Sequence, residues 1–216
     1  HLDANGNKLI AHCANSGSML NLLKQGSETW LSKSTNKNRK LKYTWEIVKI
    51  NNTMIGINTH RSNIIVKEFL KKGKLDEFKA FNNIRSEVNY GKNSRIDLLL
   101  ENSIDPPCYI EIKNVTLSRF KEIAEFPDAI TTRGSKQLKE LINILKSGKR
   151  AVVIYLIQRN DITLMRIAKD IDLEYYKIFL EAIKLGLEVL CLSCKISSKE
   201  ITFKNKIKLD IGYDKQ

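Results

Sequence analysis

The sequence predicts an α/β protein in two parts, an OB-like small β-barrel over residues 1–60 followed by a mixed-sheet α/β domain over 61–216. Three observations predict it. The first sixty residues read as short strands separated by polar turns; near residue 61 the apolar period changes from two to that of a helix; and AVVIYLIQ, 151–158, is a continuous apolar run of the kind buried in a parallel sheet.

In the first part, Asn5-Gly6-Asn7 turns the chain, and Lys8–His12, Thr29–Ser32, Tyr43–Asn51 and Met54–Asn58 are expected strands. Between the second and third lies KSTNKNRKLK, whose Lys33, Lys37, Arg39, Lys40 and Lys42 meet no acid, a composition suited to tracking phosphates. Trp30, Tyr43 and Trp45 flank it. Aromatic faces beside a basic groove stack bases in OB-like modules, and Trp rings equally serve as core.

Residues 61–80 carry Ile64, Ile65, Phe69 and Leu70 at helical spacing and stop at Gly73. IRSEVNYG then leads through Gly91-Lys92-Asn93 into the central stretch 94–114, two aliphatic strands joined by a polar turn with Pro106 and Pro107. Alternation puts Glu111 and Lys113 on one face of the second strand. If the hairpin is symmetric about Ile104, Asp97 lies opposite Glu111, with Cβ atoms ~5 Å apart. Facing carboxylates repel unless a cation or proton lies between them, and hard oxygens beside an ammonium suit Mg²⁺ or Mn²⁺. The arrangement outlines a phosphodiester-cleaving site; the plain alternative is a set of solvated charges on a sheet face. Glu87 is either a third acid there or the salt partner of Arg85 or Arg95.

The segment after Lys113, to Gly134, reads as a long working loop over the site. Thr131 or Thr132 caps a helix with Leu138, Leu141, Ile142 and Leu145 inward and Gly148 as stop. Arg133 and Lys136 in its first turn oppose the helix dipole, so they call for an anion, either DNA phosphate or Asp128. Asp172 caps a second helix with Tyr176, Phe179, Leu180 and Ile183 inward, ending at Gly186 before the strand Leu187–Cys194. Residues 195–209 read as a basic edge hairpin.

A net charge of +13 points to a polyanionic partner, and 14 basic against 6 acidic residues in 1–80 concentrate the excess there. A lysine-rich genome composition is the competing explanation. Four Cys without a secretory signal or a membrane-length apolar run predict a reduced, cytoplasmic protein, and Cys191 and Cys194, facing opposite sides of one strand, read as buried thiols rather than zinc ligands. The three His lie near no persuasive nucleophile, although His12 adjoins Cys13.

Several blocks in order, HCANSGSM, YTWEIV, SEVNYG, SRIDLLLE, CYIEIKNVTL, FPDAITTRG and RAVVIYLIQRND, make the sequence resemble the sugar fermentation stimulation protein family (SfsA). The resemblance implies a DNA-binding protein with an N-terminal OB-like domain and a PD-(D/E)xK nuclease-like core, linked by name to regulation of sugar (maltose) metabolism. In that nuclease pattern Asp97 and Glu111 are metal ligands and Lys113 is the catalytic amine; the Ile112 carbonyl is a further candidate ligand. Two departures stand out: Ala14 where the family usually has Pro, and Ser135-Lys136-Gln137 where it has Gln-Lys-His, which removes a histidine beside the site. The chain also opens inside what would be the family's first strand, so a truncated or processed strand is expected.

The expectation is a DNA-binding protein with a Mg²⁺- or Mn²⁺-dependent nuclease site at Asp97, Glu111, Lys113 and Glu87. Lys33, Lys37, Arg39, Lys40, Lys42, Trp45, Arg133 and Lys136 would contact DNA, duplex or single-stranded, ahead of RNA. A non-catalytic DNA-binding regulator is the rival, a homodimer is open, and a membrane is excluded.

Overall fold

The alternating runs of the first part do pair as strands. In a computed structural model that describes residues 1, 5–91 and 94–212, β1 (Ala11–Cys13), β2 (Thr29–Lys33), β3 (Tyr43–Ile50) and β4 (Thr53–Gly56) form a four-stranded sheet around β3. β3 runs antiparallel to β2 and β4 and parallel to β1. Asn51 and Asn52 turn β3 into β4 with φ of 47° and 68°, the left-handed pair that two-residue hairpins need and that Asn tolerates. The first strand is Ala11–Cys13 rather than the expected Lys8–His12. Met19, Leu22, Val48, Ile55 and Ile57 are the core of this part.

α1 (Arg61–Lys71) follows, burying Ser62, Ile65, Val66 and Phe69, and a 3-10 turn at Asp76–Phe78 closes its far end. Nine strands then make one mixed sheet: β5 (Asn83–Tyr90), β6 (Ser94–Glu101), β7 (Cys108–Val115), β8 (Leu117–Phe120), β9 (Ile123–Phe126), β10 (Arg150–Ile157), β11 (Leu164–Ile167), β12 (Glu188–Ile196) and β13 (Ile201–Asp210), in the order β5-β6-β7-β10-β12-β13-β11-β9-β8. Its centre is parallel, β7 and β12 flanking β10. α2 (Thr132–Lys146) and α3 (Leu173–Lys184) cover one face through Leu138, Leu141, Ile142, Tyr175 and Phe179. α1 covers the other through Ile65, Val66 and Phe69, joined there by Trp30, Ile47 and Met54 of the first sheet. A helix on each face explains why β10 reads as unbroken apolar sequence, with Ala151 to Ile157 all buried.

Helix ends follow the expected chemistry. Thr131 Oγ1 accepts the Gly134 N–H at 3.0 Å, and Asp172 accepts the Tyr175 N–H at 2.9 Å with one oxygen and the Thr131 N–H at 2.8 Å with the other. Gly148 and Gly186 take φ of 75° and 97° just past the two helices.

Three expectations fail. The segment after Lys113 is not mostly loop: Leu117–Phe120 and Ile123–Phe126 pair as a hairpin that ends the sheet. The basic tail is an edge only in part, since β13 pairs with β12 over Ile201–Ile207 and with β11 over Lys208–Asp210; Ile207 and Leu209 pack against the core while Lys204 and Lys206 stay exposed. α3 buries Tyr175, Ile178, Phe179 and Ala182, a stripe turned by one residue from the expected one, because the Tyr155 hydroxyl inside the core meets that of Tyr175 at 2.7 Å. The turn expected at Gly91-Lys92-Asn93 lies partly outside the described residues. Cys191 and Cys194 are buried on opposite faces of β12, and burial pushes both thiols up to about 12.

The two sheets are joined by main-chain and side-chain bonds. The Gly56 N–H donates to the Gln158 carbonyl at 3.0 Å, Ile55 and Arg159 form a β-bridge, and Thr53 Oγ1 donates to Asp161 at 3.3 Å.

Candidate metal and phosphate site

The symmetric register expected for the central hairpin holds: Leu98 pairs with Ile110, Leu99 with Tyr109 and Leu100 with Cys108. One step further, at Asp97, the ladder gives way to a side chain. Asp97 Oδ2 accepts the Ile112 N–H at 2.7 Å, so the carboxylate replaces a backbone acceptor between β6 and β7. On its other side, β5 pairs with β6 through Ser86↔Leu98 and Val88↔Ile96, skipping the level of Glu87 and Asp97. Glu87 has φ of 55°, strained for a residue with a Cβ, and both strands change face there. Ile84 and Leu98 pack toward α1, whereas Val88 and Ile96 pack toward α2. The break turns both acids toward α1, where Asn63 Nδ2 donates to Glu87 at 3.1 Å and to Asp97 at 2.9 Å. Because carboxylates accept, the Asn63 amide orientation is fixed.

On β7, Glu111 and Lys113 share a face as alternation requires. Both are buried, at 2% and 8% exposure. Lys113 Nζ donates to Glu111 Oε1 at 2.9 Å and to Gln137 Oε1 of α2 at 2.6 Å. Glu111 Oε2 is fully buried with no partner among the described residues. Burial pushes the Glu111 carboxyl up to about 7; the Lys113 charge offsets this in part and the Asp97 charge adds to it. An acceptor left bare in such a place costs about 1–3 kcal/mol, which is the mark of a position that a cation or proton fills.

These groups lie along a cleft of about 1180 Å³. Asn63 and Lys67 of α1 line it, as do Arg133 and Lys136 at the start of α2 and the loop Asn15–Gly17. Asp128 fastens that loop: it accepts the Met19 N–H at 3.3 Å, and its carbonyl accepts the Ser18 hydroxyl at 2.7 Å. A Cβ on Gly17 would come within 2.6 Å of the Asp128 carboxylate, so a larger residue there would have to displace that side chain. Asp128 is therefore a latch and not the counter-ion of Arg133. Both Arg133 and Lys136 are exposed and without an ion-pair partner among the described residues.

Asp97, Glu111, Lys113, Glu87 and the Ile112 backbone thus come together, with Arg133 and Lys136 beside them. The basic loop does not line the cleft: Lys33, Lys37, Lys40 and Lys42 are exposed elsewhere, and Arg39 is half-buried and donates to Thr44 at 2.8 Å. Trp45 is half-buried, spends its indole N–H on the Ile47 carbonyl at 3.0 Å, and meets the His1 ring edge-on. Among the described residues no group of three or more His, Cys, Asp and Glu lies close enough to hold an ion, so Glu87 is placed beside the pair without completing a cluster of three. Asn63 was not foreseen, because a lone amide on a helix carries no motif. Gln137 was visible only as a departure from the family pattern. Ile64, expected inward, is 57% exposed and lines the cleft.

Comparison with known proteins accords with this architecture. A family model described as the SfsA N-terminal OB domain matches residues 1–57, and one described as the sugar fermentation stimulation protein RE domain matches residues 60–200. A sugar fermentation stimulation protein homolog of Maricaulis maris is 41% identical over 209 residues, covering 97% of this chain and 89% of that protein. The homolog of Rhodospirillum rubrum is 45% identical over 201 residues, covering 88% and 82%. The structure of Pyrococcus furiosus SfsA in complex with Ca²⁺ superposes with a TM-score of 0.86 at 24% identity, over 93% of this chain and 85% of that one. An N-terminal OB domain followed by a mixed-sheet α/β domain is thus the fold, and the chain belongs to the sugar fermentation stimulation protein family.

Proposed function

We propose that this protein binds DNA and carries a metal-dependent phosphodiesterase site in the cleft between α1 and α2. The observation that carries the reading is Glu111 Oε2, a buried carboxylate oxygen without a partner among the described residues, next to Asp97 and to an ammonium. The donor set fits a hard divalent ion, Mg²⁺ or Mn²⁺: Asp97 and Glu111 would hold it with the Ile112 carbonyl, and Glu87 lies within reach through Asn63. The Pyrococcus relative of the same fold was solved with Ca²⁺, which supports an oxygen-rich cation site. Such an ion supplies Lewis-acid polarisation and a more acidic water.

The chain's own groups do the rest. Lys113, held by Glu111 and Gln137, keeps a positive charge where charge develops on a transferring phosphoryl group. Arg133, Lys136 and the free N–H groups at the start of α2 bind a neighbouring phosphate. The basic loop 33–42, outside the cleft, adds sequence-independent grip. The test is incubation with labelled duplex, single-stranded and branched DNA in Mg²⁺, Mn²⁺ or EDTA, alongside Lys113→Ala and Glu111→Gln. Metal-dependent cutting lost in both variants supports the reading; cutting that persists in both overturns it.

The second reading, a DNA-binding regulator that does not cut, is favoured by the lack of a three-group cluster among the described residues. It expects salt-sensitive binding in EDTA and intact DNA.

A further inference from the structure

We propose that Gln137 contacts the substrate, its side-chain NH₂ donating to a non-bridging oxygen of the phosphodiester bound over Glu111 and Lys113. This rests on the phosphodiesterase reading of the cleft. The argument begins with an orientation that chemistry fixes. An ammonium only donates, so the Gln137 atom 2.6 Å from Lys113 Nζ is the carbonyl oxygen, and the amide nitrogen must point the other way. Gln137 is 8% exposed and lines the cleft. Its nitrogen has no partner among the described residues, and, unlike Glu111 Oε2, it is not a fully buried orphan. It therefore opens on the cleft with two unused N–H groups.

The surroundings choose the acceptor. Arg133 and Lys136 lie on the same first turns of α2 and line the same space, so the field there favours an anion. Lys113 spends two of its three N–H groups on Glu111 and Gln137 and keeps one for the cleft. A tetrahedral phosphate offers oxygens to the ammonium and the amide together. Gln137 would thus do two jobs with one planar group, holding the lysine by its oxygen and the substrate by its nitrogen.

Two substitutions separate these jobs. Gln137→Glu keeps an acceptor for Lys113 and turns the donor into an anionic oxygen; Gln137→Met keeps the length and removes both. Asn143→Glu, on an exposed part of α2, controls for added charge. Initial cleavage rates are measured in Mn²⁺, affinity for a short labelled single-stranded oligonucleotide in EDTA, and folding by thermal unfolding. The proposal expects Gln137→Glu and Gln137→Met each to lose about tenfold or more in rate, the scale of one lost donor to a developing anion. It also expects both to bind the oligonucleotide more weakly, while Asn143→Glu behaves as wild type. Full activity in Gln137→Glu with loss only in Gln137→Met would show that Gln137 acts through Lys113 alone and overturn the contact. If the wild type binds but cuts no DNA, the nuclease reading falls while the contact is decided by affinity: weaker binding in both variants sustains it, and unchanged binding overturns it. A wild type that binds no oligonucleotide overturns both.

Discussion

Glu111 should make the protein less stable as the pH rises through the neutral range. Its carboxyl is pushed from 4.5 to about 7, chiefly by burial. The folded state therefore holds a proton over a window in which the unfolded chain has already released it. With more protons bound folded than unfolded, the stability of the fold falls with rising pH between those two values and is flat outside them. At about 1.4 kcal/mol per pKa unit, the displacement corresponds to roughly 3 kcal/mol, an order-of-magnitude figure for a group this buried. The assay is urea unfolding at a series of pH values from about 4 to 8, comparing wild type with Glu111→Gln, which has nothing to titrate at this position. The other ionisable groups largely cancel in the difference, which should shift by roughly 3 kcal/mol in favour of the variant as pH rises through the window. Carbon-13 NMR of the Glu111 carboxyl reads the same titration directly. A difference flat with pH, together with a carboxyl midpoint near 4.5, would refute the claim that burial outweighs the Lys113 charge.

Three further outcomes follow from packing. Gly56→Ala places a Cβ 2.4 Å from the Gln158 amide oxygen, and Gln158 is held by Ser62 at 3.3 Å and Asn114 at 2.5 Å, so the clash cannot relax; a loss of about 2–3 kcal/mol in chemical denaturation is expected, and a loss below about 0.5 would contradict the rigidity argument. Tyr155→Phe strands the buried Tyr175 hydroxyl and should cost about 1–3 kcal/mol, whereas adding Tyr175→Phe should restore part of it; a simple sum in the double variant would show the two hydroxyls uncoupled. Asp172→Ala removes the cap of α3 and the anchor of Thr131 at once, so the loss should exceed the ~1 kcal/mol of an ordinary cap; an unaltered unfolding midpoint would count against the shared anchor.

The hairpin register was legible because its turn is polar and proline-marked at the centre of two aliphatic runs, leaving one alignment that buries both. That placed Asp97 level with Glu111. The sequence hid how Asp97 arrives there, since nothing in SEVNYG announces a left-handed Glu87 or a ladder that skips one level. The β8–β9 hairpin was missed because its strands are four residues each, too short for alternation to stand out, and Pro127 follows directly. β13 was read as wholly an edge because its lysines resemble edge protection; the sequence did not show that its last residues, Lys208–Asp210, pair with β11 and carry the sheet on. Asn63 and Gln137 escaped for a common reason: each is a neutral amide whose role comes from the charged groups that tertiary structure brings to it.

The seam between the two sheets bears on inheritance. Because Gly56, Ile55 and Thr53 are matched to Gln158, Arg159 and Asp161, the N-terminal domain cannot be exchanged among relatives as a cassette cut at its linker. A graft would have to carry residues a hundred positions further along the chain. Changes in the first sheet are thereby yoked to the strand end that runs beside Asn114, one residue from the lysine of the cleft.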